Sequence, residues 1–291
     1  MKASETLRAP AKLNFTLEIL SRRPDGYHGI RSVMVPVDLC DELTIERAER
    51  FAFSCDAPEL QEHNLVERAI HALPLPNSNF RISLHKRIPT GAGMGGGSSD
   101  AASVLLAAQR GIFGSAISAE YLTIARSLGS DVPFFLVETA ALVEGTGERV
   151  TALGPVPPWH TVIVQPPVAV STAWAYEQID AAPRASRARS ESAGLRMAEA
   201  LQRADFTAVT ALLQNDFHDV LAATPEIACA IDVLHRAGAA HALMTGSGSC
   251  VFTLTETREQ RDALAAALQL PQGYRAYTCA LWNGEAWRNA A

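Results

Sequence analysis

Apolar and polar residues alternate near the start of the chain. Leu13, Phe15, Leu17 and Ile19 are interleaved with Asn14, Thr16 and Glu18, the period-two pattern of a strand. Lys12 and Asn14 therefore share the face opposite the apolar one. Further strands are predicted over Ser32–Glu46, with Leu43 and Ile45 on one face, over Phe51–Cys55, and around Phe80, Ile82 and Leu84. The spacing then turns helical. Ala101, Ala102, Leu105, Leu106 and Ala108 lie on one helix, with Ser98 or Ser99 as its expected cap. A second helix is predicted over Ser118–Leu128, ended by Gly129, and a shorter one opens at Asn64. Ala140–Glu144 reads as a strand with Gly145-Thr146-Gly147 as its turn.

The pattern breaks between Leu153 and Pro158, which divides the chain into residues 1–154 and 155–291. The second part has its own order: a strand (Thr161–Gln165), helical stretches through about Arg236, and a strand, turn and strand (Ala242–Met244, Thr245–Ser249, Cys250–Leu254). A helix (Arg258–Leu268) and a last strand (Tyr274–Leu281) complete it. That is β-α-β-β-α-β with extra helices, so an α+β protein with a ferredoxin-like second domain is expected. Pro183–Gly194, reading PRASRARSESAG, has little to bury and is expected to be a mobile surface loop.

Composition narrows the classes. With 48% hydrophobic and 19% charged residues the chain is ordinary for a globular protein. A net charge of −6 does not fit a nucleic-acid partner. No apolar run is long enough for a membrane span, and the N-terminus lacks an apolar leader, so no membrane association is expected. The five cysteines show no paired spacing, which points to reduced thiols and a cytoplasmic location.

The richest stretch is Lys86–Ala102, KRIPTGAGMGGGSSDAA, which joins a strand to a helix start. Glycines tolerate close backbone approach, and a helix start offers unpaired N–H groups, so this is an anion site suited to a polyphosphate. No Lys-Ser or Lys-Thr follows the glycines, so it is not a Walker A loop. Gly91, Gly93 and Gly96 satisfy G-x-G-x-x-G, yet the acidic strand end of a dinucleotide fold is missing; Glu120, the nearest candidate, falls in the next helix. The H-R-D and D-F-G elements of protein kinases are missing too.

Pro89 through Ala102 closely resembles the second motif of the GHMP kinase superfamily, named after galacto-, homoserine, mevalonate and phosphomevalonate kinases. Ala9-Pro10-Ala11-Lys12-Leu13-Asn14 resembles its first motif and Thr245-Gly246-Ser247-Gly248-Ser249 its third, in the expected order along nearly the whole chain. The resemblance implies a first domain like domain 2 of ribosomal protein S5 and a ferredoxin-like second one. It further implies ATP binding by Lys86, Pro89, Thr90, Gly91, Ala92, Gly93, Met94, Gly95, Gly96, Gly97, Ser98 and Ser99, with Mg²⁺ carried by the nucleotide and Ser99 as a candidate ligand to it. Asn64 is either a plain N-cap or part of the adenine site. Asp131, in a G-x-D-x-P context, is either an N-cap or the base that takes the proton of an acceptor hydroxyl, with Lys12 beside it.

Arg22-Arg23-Pro24-Asp25-Gly26-Tyr27-His28 is turn chemistry ending in an aromatic and an imidazole. It resembles the signature of the superfamily branch whose substrate carries a cytidine diphosphate moiety. There Tyr27 and His28 would meet the cytosine, Tyr176 would close a sandwich opposite Tyr27, and Asn14, Gly246 and Ser247 would hold the rest of the substrate. The expected enzyme is an ATP-dependent small-molecule kinase of isoprenoid synthesis, a monomer or weak homodimer. Met94 and Phe15 stand where leucine is commoner, and the Pro183–Gly194 loop matches nothing recognisable. A sister kinase should lack the Pro-Asp-Gly-Tyr-His turn, an oxidoreductase would need the missing acid, and a non-catalytic sensor should have lost Lys12 or Asp131.

Overall fold

The computed structural model describes residues 4–24, 26–75, 79–113, 119–182 and 192–282. Two long strands, β1 (Ser4–Arg22) and β2 (His28–Arg47), pair antiparallel and form the spine of the first sheet. β3 (Ala52–Cys55) and β4 (Phe80–His85) extend it beyond one half of β2, and β5 (Ala140–Gly145) and β6 (Arg149–Gly154) beyond the other. Register shifts between Pro10 and Ala11 and between Asn14 and Thr16 flank the Lys12–Asn14 segment. At the first, β2 carries two unpaired residues, Asp38 and Leu39, while β1 runs on from Pro10 to Ala11; at the second, the extra residue is Phe15 of β1. Leu7 and Ala9 pack in the core under the first half's helices, whereas Ala11, Leu13 and Phe15 pack in the core shared with the second half. Lys12 and Asn14 line the same cleft as the glycine-rich loop, and the Lys12 N–H donates to the Met94 carbonyl at 3.0 Å. The polar side of β1 is also covered: Asn14, Thr16 and Glu18 are all buried.

One face of this sheet carries α1 (Leu65–Ala72), α2 (Gly96–Gln109), α3 (Tyr121–Leu128) and the single turn α4 (Val132–Phe135). α3 starts at Tyr121 with Glu120 at its cap position, later than the Ser118 expected from the pattern; Ser118 lies outside the described residues.

The second sheet contains β7 (His160–Gln165), β9 (Leu243–Met244), β10 (Val251–Thr255) and β11 (Arg275–Ala280), in the order β11-β7-β10-β9 with every neighbour antiparallel. Between β7 and β9 run α5 (Thr172–Ala181), α6 (Ala193–Gln202), α7 (Phe206–Leu212), α8 (Asp216–Leu221) and α9 (Pro225–Arg236); α10 (Arg258–Ala267) joins β10 to β11. This is the ferredoxin-like order.

Two strands escaped the period-two reading. β6 is mostly exposed on both faces, and β8 (Gln214–Asn215) is too short to show a period; it pairs parallel with Thr16 and Leu17 of β1. The loop expected over Pro183–Gly194 is corrected at its end. Ser192 caps α6 by accepting from Leu195 N–H, and the Gly194 N–H donates to the buried Glu18 carboxylate at 3.1 Å. Residues 183–191 lie outside the described residues. The two sheets share a core in which the Phe15 and Phe252 rings stack at 6.0 Å.

Candidate active site

The loop between β4 and α2 turns through left-handed backbone at Gly91, Gly93 and Gly95. At Gly93 a Cβ would fall 2.1 Å from the Thr245 carbonyl oxygen, so the loop lies directly against the β9–β10 turn of the second sheet. Gly95, at φ 73°, is the cap position of α2. The serine cap expected for this helix is therefore not formed: a left-handed glycine passes straight into the helix, and Ser98 and Ser99 fall in its first turn. Ser98 lines the cleft, whereas Ser99 is fully buried and outside the cleft lining, its hydroxyl without a hydrogen-bond partner among the described residues. Ser99 N–H bonds back to the Gly95 carbonyl, and the N–H groups before it form the free helix end.

A cleft of about 480 Å³ runs along this loop, walled by residues 88–98, by Leu60, His63 and Leu65, and by Tyr176, Phe217, Gly246 and Ser247 of the second half. Lys12, Asn14 and Asp131 open onto it. Lys12 is buried, and its ammonium donates to Asn14 Oδ1 at 2.6 Å and lies 3.7 Å from Asp131 Oδ2. Burial pulls the Lys12 pKa below the ordinary lysine value, with Asp131 opposing the shift. Asp131 stands at the cap position of α4 but makes no capping bond; its carboxylate, 27% exposed, is directed to Lys12 instead.

Asn14 ties the halves together. Its Oδ1 accepts from Lys12 Nζ, from Gly246 N–H (2.9 Å) and from Thr245 Oγ1 (3.2 Å), while Nδ2 donates to Ser32 Oγ (2.8 Å). Asn215 braces the same turn from outside, donating to the carbonyls of Met244 and Gly246. Thr245 and Asn215 carry no sequence signal of their own beyond the third motif and a short polar segment.

Other expected residues are placed differently. Lys86 reaches the cleft wall, but its ammonium donates to Asp41 and to Asp100 (2.7 Å), which makes it a buried ion-pair residue. Asn64 caps α1, accepting from Val66 N–H and donating to the Leu60 carbonyl, both at 2.9 Å; its amide is spent on shaping the cleft wall. The sandwich expected of Tyr27 and Tyr176 is not the arrangement present. His28 is buried and stacks on Tyr176 at 5.4 Å, 10° from parallel, and Phe217 meets Tyr176 edge-on at 5.0 Å. One face of Tyr176 is therefore already covered. His28 Nδ1 lies 3.2 Å from the Leu20 carbonyl and Nε2 3.0 Å from Asp180. Tyr27 is 69% exposed and not part of the cleft wall.

A glycine loop feeding a helix start, an ammonium–carboxylate pair beside it and a ferredoxin-like second sheet define a small-molecule kinase of the GHMP type. The models of the GHMP kinase N-terminal and C-terminal domains match residues 64–139 and 197–271. Similar curated proteins include the 4-diphosphocytidyl-2-C-methyl-D-erythritol kinase of Geobacter metallireducens, 40% identical over 91% of this chain and 94% of its own. That of Symbiobacterium thermophilum is 42% identical over 86% and 90%. Among solved structures, a crystal structure of 4-(cytidine 5'-diphospho)-2C-methyl-D-erythritol kinase superposes with a TM-score of 0.74 at 34% identity, covering 96% of this chain and 99% of its own. The chain belongs to the GHMP kinases, in the family of the 4-diphosphocytidyl-2-C-methyl-D-erythritol kinases.

Proposed function

We propose that the chain transfers the γ-phosphoryl group of ATP to the 2-hydroxyl of 4-diphosphocytidyl-2-C-methyl-D-erythritol, in the non-mevalonate route to isoprenoids. The observation that carries the chemistry is the Lys12–Asp131 pair at the free end of α2. Phosphoryl transfer asks a protein mainly for positioning and charge stabilisation. The glycine loop and the N–H groups of Gly96, Gly97 and Ser98 supply donors for the phosphates. Asp131, partly exposed and uncommitted to capping, takes the proton of the attacking hydroxyl. Lys12, fixed by Asn14, stands beside that carboxylate and offsets charge developing on the transferred group.

Mg²⁺ enters as part of the nucleotide substrate. Among the described residues no three His, Cys, Asp or Glu side chains are grouped to hold a metal, and the ion would be held mostly by phosphate oxygens and water. Tyr176 and Phe217 line the cleft, with His28 stacked behind Tyr176, and form the aromatic surface on which the cytosine docks. The division of the chain at 154/155 and a cytoplasmic location belong to the same reading, the latter supported by five free cysteines. Among the described residues no helix is long and apolar enough to cross a membrane.

The test is ADP release by the purified protein with Mg²⁺ and ATP, offering the cytidyl substrate, mevalonate and homoserine separately. Turnover is expected on the cytidyl substrate alone. Turnover on another alcohol would overturn the specificity while leaving the family untouched.

A further inference from the structure

Beneath the phosphate loop, with Lys86 and Asp100 reaching the cleft wall, lies a buried cluster that the proposed chemistry does not use. Lys86 Nζ donates to Asp100 Oδ2 at 2.7 Å and to Asp41 Oδ2, and both carboxylates are almost wholly inaccessible. Asp41 belongs to β2, Lys86 immediately follows β4, and Asp100 lies in the second turn of α2. The three side chains thus connect the segment entering the loop, the helix leaving it and the sheet beneath. Asp41 does more than pair. Its Oδ1 accepts the N–H groups of Arg87 (2.5 Å) and Ile88 (2.8 Å), which fixes the backbone leading into Pro89. At Gly96, where the loop ends, a Cβ would sit 3.1 Å from Ile88 Cβ and 3.2 Å from Asp41 Oδ2, so both loop ends converge on the same aspartate.

A lysine on the wall of a phosphate site is ordinarily read as a phosphate ligand. Here that role conflicts with the charge balance. Swinging the ammonium to a nucleotide would leave two buried carboxylates next to each other without a counter-ion, a heavily penalised arrangement. We propose that Lys86, Asp41 and Asp100 are positioning residues, a clamp that holds the two ends of the phosphate loop together from beneath, and that Lys86 does not itself contact the nucleotide. The inference rests on the reading of residues 89–98 as the nucleotide loop.

The experiment is amide hydrogen exchange on the nucleotide-free full-length protein, comparing wild type with Lys86→Met, together with calorimetric affinities for ADP and ATP. Loop amides 91–97 are expected to exchange at least about tenfold faster in the variant, while those of Leu13–Phe15 keep wild-type rates. Affinities for ADP and ATP should fall by the same factor, because a misplaced loop harms both. Should Lys86→Met not fold, Lys86→Met with Asp100→Asn leaves only one buried acid and carries the same expectation. Unchanged loop exchange overturns the clamp, and a loss confined to ATP would identify Lys86 as a γ-phosphate ligand. Faster exchange with undiminished nucleotide affinity overturns it equally. If wild type binds neither nucleotide, the reading of the loop fails, and the exchange data still decide whether the clamp exists.

Discussion

The side-chain oxygen of Asn14 accepts the backbone N–H of Gly246 at 2.9 Å, across 232 positions of sequence, while holding the Lys12 ammonium at 2.6 Å. One amide therefore ties the turn of the second sheet to the Lys12 segment of β1. Replacing it with alanine leaves the Gly246 N–H, the Lys12 ammonium and Ser32 short of a partner in a dry site, at about 1–3 kcal/mol for each group left unsatisfied. Asn14→Ala is expected to lower stability by about 3 kcal/mol or more in urea unfolding. It should reduce kcat as well, because Lys12 loses its anchor. Wild-type stability with wild-type kcat would show that the bond is incidental.

Asp131 is expected to behave as a reacting group and not as a helix cap, since its carboxylate is turned to Lys12 and makes no bond to α4. Asp131→Asn should cut kcat by about 10²–10⁴-fold, the usual range for a general base, with the KM for ATP changed little. Thermal unfolding measured on the same variant decides between the roles. A lost cap would lower Tm and spare turnover, the opposite of the expected result.

Both sheets and the glycine loop were legible from the chain because they rest on local signals: period two in Leu13–Ile19, helical spacing after Gly97, glycine where φ is positive. Lys12, Asn14 and Asp131 were legible only through resemblance, since a polar residue on a strand or at a helix start is usually solvated or a cap. What stayed hidden depends on contacts between distant segments. Nothing in the alternation of β2 marks Asp41 as a buried anchor, because its partner Lys86 lies 45 positions away. The strand β8 exists by pairing with β1, and His28 stacks on Tyr176 because α5 is brought over the turn, an arrangement no turn motif specifies.

The glycines of the loop should not be equivalent. At Gly93 a Cβ would collide with the Thr245 carbonyl at 2.1 Å and φ is +80°, whereas at Gly91 the space is open and only the φ of +65° is unfavourable. Gly91→Ala is expected to cost about 1 kcal/mol of backbone strain and a few-fold in KM for ATP. Gly93→Ala must push the loop off the β9–β10 turn, and kcat/KM for ATP should fall by about 100-fold or more, since small misplacements at the reacting centre are costly. Steady-state kinetics on the two variants make the comparison. Equal losses would mean that the loop does not rest on Thr245 during turnover.

Asp100 gives a pH dependence with a definite sign. Burial pushes its carboxyl up to about 8, with Lys86 pulling the other way and Asp41 adding to the rise. A carboxyl that holds its proton more tightly folded than unfolded makes the native state bind more protons, so its contribution to stability declines as pH rises from the ordinary carboxylate range toward that value. Lys86 is raised as well: burial acts to lower its pKa, but the two carboxylates outweigh burial, so the ammonium stays charged throughout this window. Asp100→Asn keeps an acceptor for Lys86 and removes the titration. Its Tm relative to wild type is therefore expected to improve between about pH 5 and about pH 8.5. Thermal unfolding of both proteins at the two pH values is the measurement. A Tm difference that stays constant across the window would mean that Asp100 is ionised in the folded protein at both, with Lys86 and the Asp41 backbone bonds together outweighing the cost of its burial.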